Sequence, residues 1–406
     1  MTEVVLGVSG GIAAYKACEL LRLFTESGHH VRVVPTASAL RFVGAPTWAA
    51  LSGQPVSTEV WDDVHEVPHV RLGQRADLVV VAPATADVLA KAATGQADDL
   101  LTNTLLTARC PVVYAPAMHT EMWEHPATVR NVATLRRRGA VVIEPAVGRL
   151  TGVDTGKGRL PDPAEIFAVA RRVLARPDQG PDLAGRHVVV TAGGTREPID
   201  PVRFIGNRSS GKQGYAFARA AVARGARVTV VSANVALPDP AGADVVRVGT
   251  TEELRLATVK AAEEADAVIM AAAPSDFRPA HYAAEKIKKR DGEDAPTLRL
   301  VANPDIAAEL GERKRPGQVL VAFAAETAAE PVALANAQEK LRRKRADLIV
   351  VNEVGADRTF GADNNAAVVL GAGIEPVRIG DRTKDELADA VLDLVVGRLS
   401  DTPRTG

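Results

Sequence analysis

The sequence predicts an α/β protein made of two Rossmann-like doubly wound domains in tandem. Short β-branched runs alternate with helix-length amphipathic segments along most of the chain, the pattern of a three-layer α/β architecture. The strand-like runs are continuously apolar rather than alternating, as expected of parallel sheet covered by helices on both faces. The whole pattern also restarts at residue 186, which predicts a second unit built like the first.

In the first unit "EVVLGVS" reads as a strand that enters a glycine turn. "GGIAAYKACELLRLFTESG" is the following helix, closed by Gly28, and "HHVRVVPT" the second strand. "ADLVVVAPAT" and "ADVLAKAATG" form the next strand–helix pair, and "CPVVYAPA" and "GAVVIEPA" two further strands. Arg149–Pro163 is glycine-rich without hydrophobic periodicity, so it reads as a mobile loop of the kind that closes over a site. A breaker-rich stretch with little to bury, Leu174–Arg186, reads as a linker, giving domains at 1–178 and 186–400. The second unit repeats the plan with "RHVVVTAGGT", the helix "GKQGYAFARAAVARG" and the strand "ARVTVVSA". It continues through "ADAVIMAAAPSDF", "GQVLVAFAAET" and "ADLIVVNEVG" to a helix in "DRTKDELADAVLDLVVGRL" and a frayed tail.

At 406 residues two domains are the prior, and 46% apolar with 24% charged residues is globular composition. A net charge of −1 offers no general attraction to nucleic acid or to a membrane surface. Two cysteines, Cys18 and Cys110, exclude a disulfide framework and point to a reducing, cytoplasmic setting. The N-terminal stretch lacks a signal-peptide pattern, and no apolar run reaches transmembrane length.

Ser9, Gly10 and Gly11 stand where a strand turns into a helix, and their bare N–H groups suit a phosphate; a plain β–α turn is the alternative. Thr36 and Ser38, then Pro83, Ala84 and Thr85, end the next strands and fall in the same crevice, where small hydroxyl residues suit a flat ring. Helix capping is an equal use of them. His69 precedes a strand. "APAMHTEMWEHPA" gathers His119, Glu121 and His125, but no cysteine pair follows at zinc spacing, so the metal reading loses weight to a ligand loop walled by Met122 and Trp123. His125, before Pro126, reads as a helix-entry residue.

In the second half the polar connection Gly193–Gly214 is too long to be a plain turn, and its "SSGK" does not meet the P-loop pattern. Lys340 and Lys344 share one face of a predicted helix at a spacing that suits a triphosphate, or form a solvated basic face. Asp276 follows a strand end, where a carboxylate can hold Mg²⁺ against phosphates. Asp363, Asn364 and Asn365 read as a further polar site or a turn.

Together "SGGIAAYK", "PHVRLG", "APATAD", "PAMHTEMW", "GGTREPIDPVRFIGNRSSGK", "EKIKK", "NPDI", "AFAAET" and "DNN", in this order, resemble the bifunctional phosphopantothenoylcysteine decarboxylase/phosphopantothenate–cysteine ligases of bacterial coenzyme A biosynthesis. The likeness spans nearly the whole chain. It implies FMN in the first domain, with Ser9–Gly11 at its phosphate and Met118 beside it. The flavin accounts for a decarboxylation in which hydride leaves the sulfur-bearing carbon and is later returned, with no net redox change. His69 matches the family's acid/base histidine. His119 stands where the family usually has an asparagine, and Gly152 where it usually has a proton-donating cysteine, a position that neither Cys18 nor Cys110 matches. Asp154, His119 or water are then the candidate donors.

For the second domain the resemblance implies a ligase that activates 4'-phosphopantothenate with CTP and Mg²⁺ as an acyl-cytidylate, which the cysteine amine then attacks. Asn207 would hold that intermediate and Arg203 support its charge. Lys286, Lys340 and Lys344 would neutralise the triphosphate, with Ala273, Asp276, Pro304, Asp305, Ile306 and Phe323 around the nucleotide and Asp276 on the metal. Pro274 replaces a usual valine. The implied assembly joins decarboxylase trimers through ligase dimers into a dodecamer. Two other readings are a ligase with an impaired decarboxylase domain and a flavin-binding regulatory protein, although the acidic tail typical of the latter is missing. An NAD(P)-dependent oxidoreductase would need GxGxxG with a downstream acid, and neither half supplies that set.

Overall fold

The computed structural model describes residues 2–56, 68–150, 154–177, 179–288, 297–326, 330–353 and 364–400. The chain forms two compact units. The first comprises Met1–Gly185 with Ala221–Arg227 and Pro238–Ala243; the second comprises Arg186–Ala220, Val228–Leu237 and Asp244–Gly406.

The first sheet contains β1 (Glu3–Val8), β2 (His30–Pro35), β3 (Leu78–Ala84), β4 (Val112–Pro116) and β5 (Val141–Val142), ordered β2-β1-β3-β4-β5. All its ladders are parallel, with Val4 opposite both Val31 and Leu78. This is the flavodoxin-like doubly wound order, whose switch point lies between β1 and β3. The helices are α1 (Ala17–Glu26), α2 (Ala45–Ser52), α3 (Pro68–Arg75), α4 (Ala86–Thr94), α5 (Leu100–Thr107), α6 (Thr120–Glu124), α7 (Pro126–Arg137) and α8 (Pro163–Ala175). The predicted first helix begins as a 3₁₀ turn, Ile12–Lys16, and becomes α-helical only at Ala17. Leu20, Leu21 and Phe24 on α1 are buried, and Phe24 meets Phe167 of α8 edge to face at 4.9 Å. Full burial of such a side chain contributes about 1.5–3 kcal/mol. Val88 and Leu89 of α4, Leu100 and Leu101 of α5, and Val132 and Leu135 of α7 share a core with Val5, Val79 and Val81.

Two expectations are corrected here. Of the segment expected to be a mobile loop, Thr155–Arg159 forms β7, which pairs antiparallel with β6 (Ala146–Arg149); 151–153, with Gly152, lie outside the described residues. Its glycines serve close approach. A Cβ on Gly158 would stand 2.1 Å from Met118 O and one on Gly156 2.2 Å from Thr120 Oγ1, while Met118 N–H donates to Gly158 O at 2.9 Å. The expected linker begins inside α8 and buries more than foreseen: Leu183 is fully buried, and Asp182 receives Arg224 at 2.8 and 2.6 Å.

The second sheet contains β8 (His187–Gly193), then, after the two-stranded hairpin β9 (Arg196–Pro198) and β10 (Phe204–Gly206), β11 (Arg227–Ala233), β12 (Ala243–Val248) and β13 (Ala267–Met270). A second small pair, β14 (Phe277–Pro279) and β15 (Leu300–Ala302), precedes β16 (Val319–Glu326), β17 (Leu348–Glu353), β18 (Asn364–Gly371) and β19 (Ile374–Thr383). The order is β12-β11-β8-β13-β16-β17-β18-β19, parallel from β8 through β13 and β16 to β17, with β18 and β19 antiparallel. Counted along the chain its first six strands follow the 3-2-1-4-5-6 Rossmann order, with the switch point between β8 and β13. Its helices are α9 (Lys212–Ala223), α10 (Thr251–Ala262), α11 (Ile306–Arg313), α12 (Glu330–Arg343) and α13 (Lys384–Ser400). Leu254, Ile306, Leu310 and Leu341 of α10, α11 and α12 pack on Val189, Val268, Leu320 and Ile349. Tyr215 and Phe217 of α9 and Leu387, Val391 and Val395 of α13 are buried.

The long polar connection after β8 is therefore the ordered hairpin β9–β10, and Asn364 and Asn365 open a strand rather than a turn; Asp363 lies outside the described residues. Lys344 falls one residue beyond α12, because Arg345 takes a left-handed conformation (φ 47°) that ends the helix. Lys344 N–H still donates to Lys340 O at 2.9 Å, so the two lysines keep helical spacing. Among the described residues no helix is long and apolar enough to cross a membrane.

Candidate functional sites

The first crevice lies at the carboxyl ends of β1, β2 and β3. Buried Ser9 joins β1 to β3 across the switch point: its hydroxyl donates to Pro83 O at 2.7 Å and accepts from Thr85 N–H at 2.9 Å. A Cβ on Gly10 would stand 2.3 Å from Ser38 Cβ, so only glycine lets the β1 turn lie against the Thr36–Ser38 turn. Ser9 N–H, expected as a bare donor, instead donates to Pro83 O at 3.2 Å, while among the described residues the N–H groups of Gly10 and Gly11 have no acceptor, which leaves two donors at a helix start. Capping uses Thr36, whose hydroxyl accepts from Ala39 N–H at 3.2 Å, and Thr85, which accepts from Val88 N–H at 3.5 Å; Ser38 makes no cap bond. Ala84 O accepts from Ala117 N–H at 3.1 Å, bringing the Ala117–Met118 turn beside β3. The donor pair and the glycine-tight floor fit a phosphate-bearing planar ligand.

His119 is the exposed N-cap of α6 without a side-chain cap bond, and His125 caps α7 by accepting from Ala127 N–H at 3.2 Å. Trp123 packs with Val132 and Leu135 in the core and lines a cavity of about 500 Å³ together with Val129, Val132 and Arg136, whereas Met122, expected beside it, is exposed and not among that cavity's lining residues. His69 belongs to α3, but its side chain falls outside the described residues, as does Gly152. Among the described residues no three His, Cys, Asp or Glu side chains gather as a metal-binding group. Both cysteines are free; burial pushes the Cys110 thiol up to about 11 and also raises Cys18.

The second crevice is a cavity of about 420 Å³ at the carboxyl ends of β8, β13 and β16. Asn207, Ala273, Asp276, Pro304, Asp305, Ile306, Phe323, Lys340 and Lys344 all line it; Arg203 and Lys286 are not among its lining residues. Asn207 Nδ2 donates to Pro274 O at 2.8 Å, a carbonyl that is present whichever residue stands at that position. Phe323 packs edge to face on buried Phe217 at 5.7 Å. Asp305 caps α11 through Ala308 N–H at 3.2 Å and receives Lys344 Nζ at 2.8 and 3.0 Å. Burial acts to raise the Asp305 carboxyl, but the Lys344 hydrogen bond and charge outweigh it and hold it below the usual carboxylate range.

The floor loop Ala273–Asp276 is set by a buried relay that sequence reasoning missed. Ser275 N–H donates to Thr195 Oγ1 at 2.8 Å, Thr195 and Thr251 hydroxyls lie 2.9 Å apart, and Thr251 donates to Glu197 Oε1 at 2.8 Å. From the other side Asn303 Nδ2 donates to Ser275 O and Asn303 N–H to Asp276 O, each at 2.8 Å. Threonines and a glutamate scattered from 195 to 251 carry no local signal; only the fold joins them. Asp200 lies inside the long polar connection, and nothing in its local sequence marks its burial.

Comparison with known proteins follows this division. Residues 1–174 match the model of the family described as Flavoprotein, and residues 183–399 that of the DNA/pantothenate metabolism flavoprotein C-terminal domain. The chain is 58% identical over 402 residues to the coenzyme A biosynthesis bifunctional protein CoaBC of Mycobacterium tuberculosis, covering 97% of this chain and 96% of that one. It is 45% identical to the Bacillus subtilis protein of the same name over 372 residues, 91% of this chain and 90% of that one. Among solved structures, the C-terminal domain of a CoaBC protein is 34% identical with a TM-score of 0.47, covering 55% of this chain and 100% of that chain. The FMN-dependent cysteine decarboxylase SpaF is 37% identical with a TM-score of 0.35, covering 39% of this chain and 90% of that one. The chain belongs to the family of bifunctional coenzyme A biosynthesis proteins, with a flavoprotein half followed by a half of the DNA/pantothenate metabolism type.

Proposed function

We propose that this bifunctional enzyme of coenzyme A biosynthesis runs two consecutive reactions on one chain. The half at 186–400 ligates cysteine to 4'-phosphopantothenate through an acyl-cytidylate made from CTP, and the half at 1–178 decarboxylates the product to 4'-phosphopantetheine. The carrying observation is the second crevice: a switch-point cavity of about 420 Å³ in which Lys340, Arg343 and Lys344 share the lining with Asp276.

A carboxylate does not condense with an amine until an oxygen becomes a leaving group, so the ligase must hold polyanion and acyl group together. Lys340 and Lys344 neutralise the triphosphate, as does Lys286 from the segment beside the β9–β10 turn, and Asp276 is the carboxylate for Mg²⁺. Asn207, anchored on Pro274 O, presents its amide to the acyl intermediate. Arg203 supports the charge there through Nη1, since Nε and Nη2 are engaged with Asp200 and Ile287 O.

In the first half the N–H groups of Gly10 and Gly11 hold the FMN phosphate, while Thr36, Ser38, Pro83, Ala84, Thr85 and Met118 line the ring. Bound FMN supplies a reversible hydride sink at the sulfur-bearing carbon. His69 works as acid/base near thiol and carboxylate, and His119, exposed and free of capping duty, recognises the substrate carboxylate in place of the family's asparagine. Cys110 and Cys18, their thiols raised by burial, lie outside this proton path, which leaves Asp154, His119 or water as donor. The setting is cytoplasmic and the assembly a homo-oligomer, a dodecamer in the family's manner.

The test is one coupled assay with phosphopantothenate, cysteine, CTP and Mg²⁺ that follows pyrophosphate and CO₂ separately. Both are expected. Pyrophosphate without CO₂ in FMN-saturated protein contradicts the decarboxylase half, and neither product contradicts both.

A further inference from the structure

Lys286 is exposed, in a segment with few buried neighbours, and the chain from 289 to 296 lies outside the described residues. Ordering such a lysine near a site needs an anchor. The anchor is the turn between β9 and β10. Asp200, fully buried, accepts from Val202 N–H at 2.9 Å and Arg203 N–H at 2.8 Å with one carboxylate oxygen. The other oxygen accepts from Arg203 Nε at 2.9 Å and from Ile287 N–H at 3.1 Å. Arg203 Nη2 then donates to Ile287 O at 2.7 Å. Both polar groups of the Ile287 backbone, next to Lys286, thus end on the Asp200–Arg203 pair, and Ala283 N–H donates to Ile199 O at 2.9 Å four residues earlier.

A buried carboxylate is costly unless its lone pairs are filled, and this one is met by guanidinium and backbone donors from two chain segments. The same turn continues through β10 to Asn207 on the cleft wall. We infer that Asp200 is a positioning residue of the ligase: its carboxylate fastens the Ala283–Ile287 segment to the β9–β10 turn, so that Lys286 and Asn207 are set by one clamp. The inference rests on Lys286 acting in ligation, as proposed above. A solely structural carboxylate would need partners only within its own turn, whereas this one reaches 87 residues along the chain to the residue after Lys286.

The experiment is a double-mutant cycle in the full-length protein with Asp200→Asn, Lys286→Ala and the pair, measuring kcat and KM for CTP in pyrophosphate release. Amide exchange of the 283–288 segment is followed in parallel. Expected are a kcat loss on the order of 10- to 100-fold in Asp200→Asn, faster exchange confined to that segment, and a double variant no slower than Lys286→Ala alone. Losses that multiply in the double variant, or an Asp200→Asn protein with unchanged kcat and exchange, overturn the clamp. An active Lys286→Ala protein instead overturns the role of Lys286, a result distinct from either. If Asp200→Asn does not fold, Asp200→Glu enters the same cycle. Its carboxylate stands one methylene out of register, so full activity in that protein also overturns the clamp.

Discussion

Asn207, Lys340 and Lys344 differ in how much of their environment is structural, and this orders the effects of replacing them. Among the described residues the Asn207 side chain makes one bond, to Pro274 O, so Asn207→Ala is expected to leave the fold intact and abolish pyrophosphate release while bound flavin stays at wild-type level. Normal turnover in that variant contradicts its assigned contact with the acyl intermediate. Lys344 also closes an ion pair on Asp305, the cap of α11, so Lys344→Ala should lower both CTP affinity and thermal stability. Loss of one such partly exposed ion pair, with the Asp305 cap itself retained, costs about 0–1 kcal/mol. An unchanged melting temperature with weakened CTP binding would confine Lys344 to the ligand. Cys110, its thiol pushed up to about 11 by burial, should alkylate far more slowly at pH 8 than an unperturbed cysteine; rapid labelling would refute its assigned burial.

Two elements are defined by close approach rather than by propensity. Strand β7 lies on the Met118–Thr120 segment with glycine at each contact, and a methyl on Gly158 would press on a backbone carbonyl, which cannot swing aside. Gly158→Ala should therefore cost about 1–3 kcal/mol and loosen the wall beside Met118. A drop in melting temperature with weaker FMN retention is the expected readout, and wild-type flavin content at an unchanged melting temperature would count against it. The Ser275–Thr195–Thr251–Glu197 relay is the ligase counterpart. Thr195→Val keeps the shape but strands Ser275 N–H, at about 1–3 kcal/mol for a buried group left unmade, while the Thr251 hydroxyl keeps its bond to Glu197. Ligation should slow through the displaced Ala273–Asp276 loop, and a fully active, equally stable Thr195→Val protein would remove the relay from the site's support.

For the whole molecule the two sheets share one logic, a crevice at the point where strand order reverses, with chain reversals and glycine contacts shaping its floor. Acid-sensitive carboxylates lie in both halves: burial acts to raise Glu144, but Arg136 and Lys157 outweigh it and lower that carboxyl, and the ligase half adds others. The Asp200 carboxyl is held well below its ordinary value, first by the Arg203 hydrogen bond, and Asp305 is lowered by Lys344. Groups whose folded pKa is depressed contribute stability that is complete above the unfolded carboxylate value near ~4 and is lost as pH falls through the folded value. Unfolding temperature should thus be flat from neutrality to about pH 5 and fall below about pH 4, and a protein that gains stability on acidification contradicts these pairings.

The tandem α/β plan was legible along the chain because continuous apolar runs and helix periodicity are local, and local patterns survive without knowing what packs on them. The glycine turn at Ser9–Gly11 and the residues Asp276, Lys340 and Lys344 were legible for a related reason, since each stands near a strand end or helix end that the periodicity marks, whereas Asp305 and Phe323 came only with the family resemblance. Other features needed the fold. Arg149–Pro163 looked loop-like because glycine lowers strand propensity, yet Gly156 and Gly158 are there to admit Thr120 and Met118, residues almost forty positions away. The cavity that Trp123 lines takes its other walls from residues such as Val129, Val132 and Arg136 and not from Met122 beside it. Asp200, one polar residue within the Gly193–Gly214 connection, binds Ile287 N–H. The chain by itself determined the main strands and helices of the two sheets, but not the small hairpins β6–β7 and β9–β10. Only the tertiary structure decided which turns meet, because hydrogen bonds and steric contacts between distant segments leave no period in a sequence.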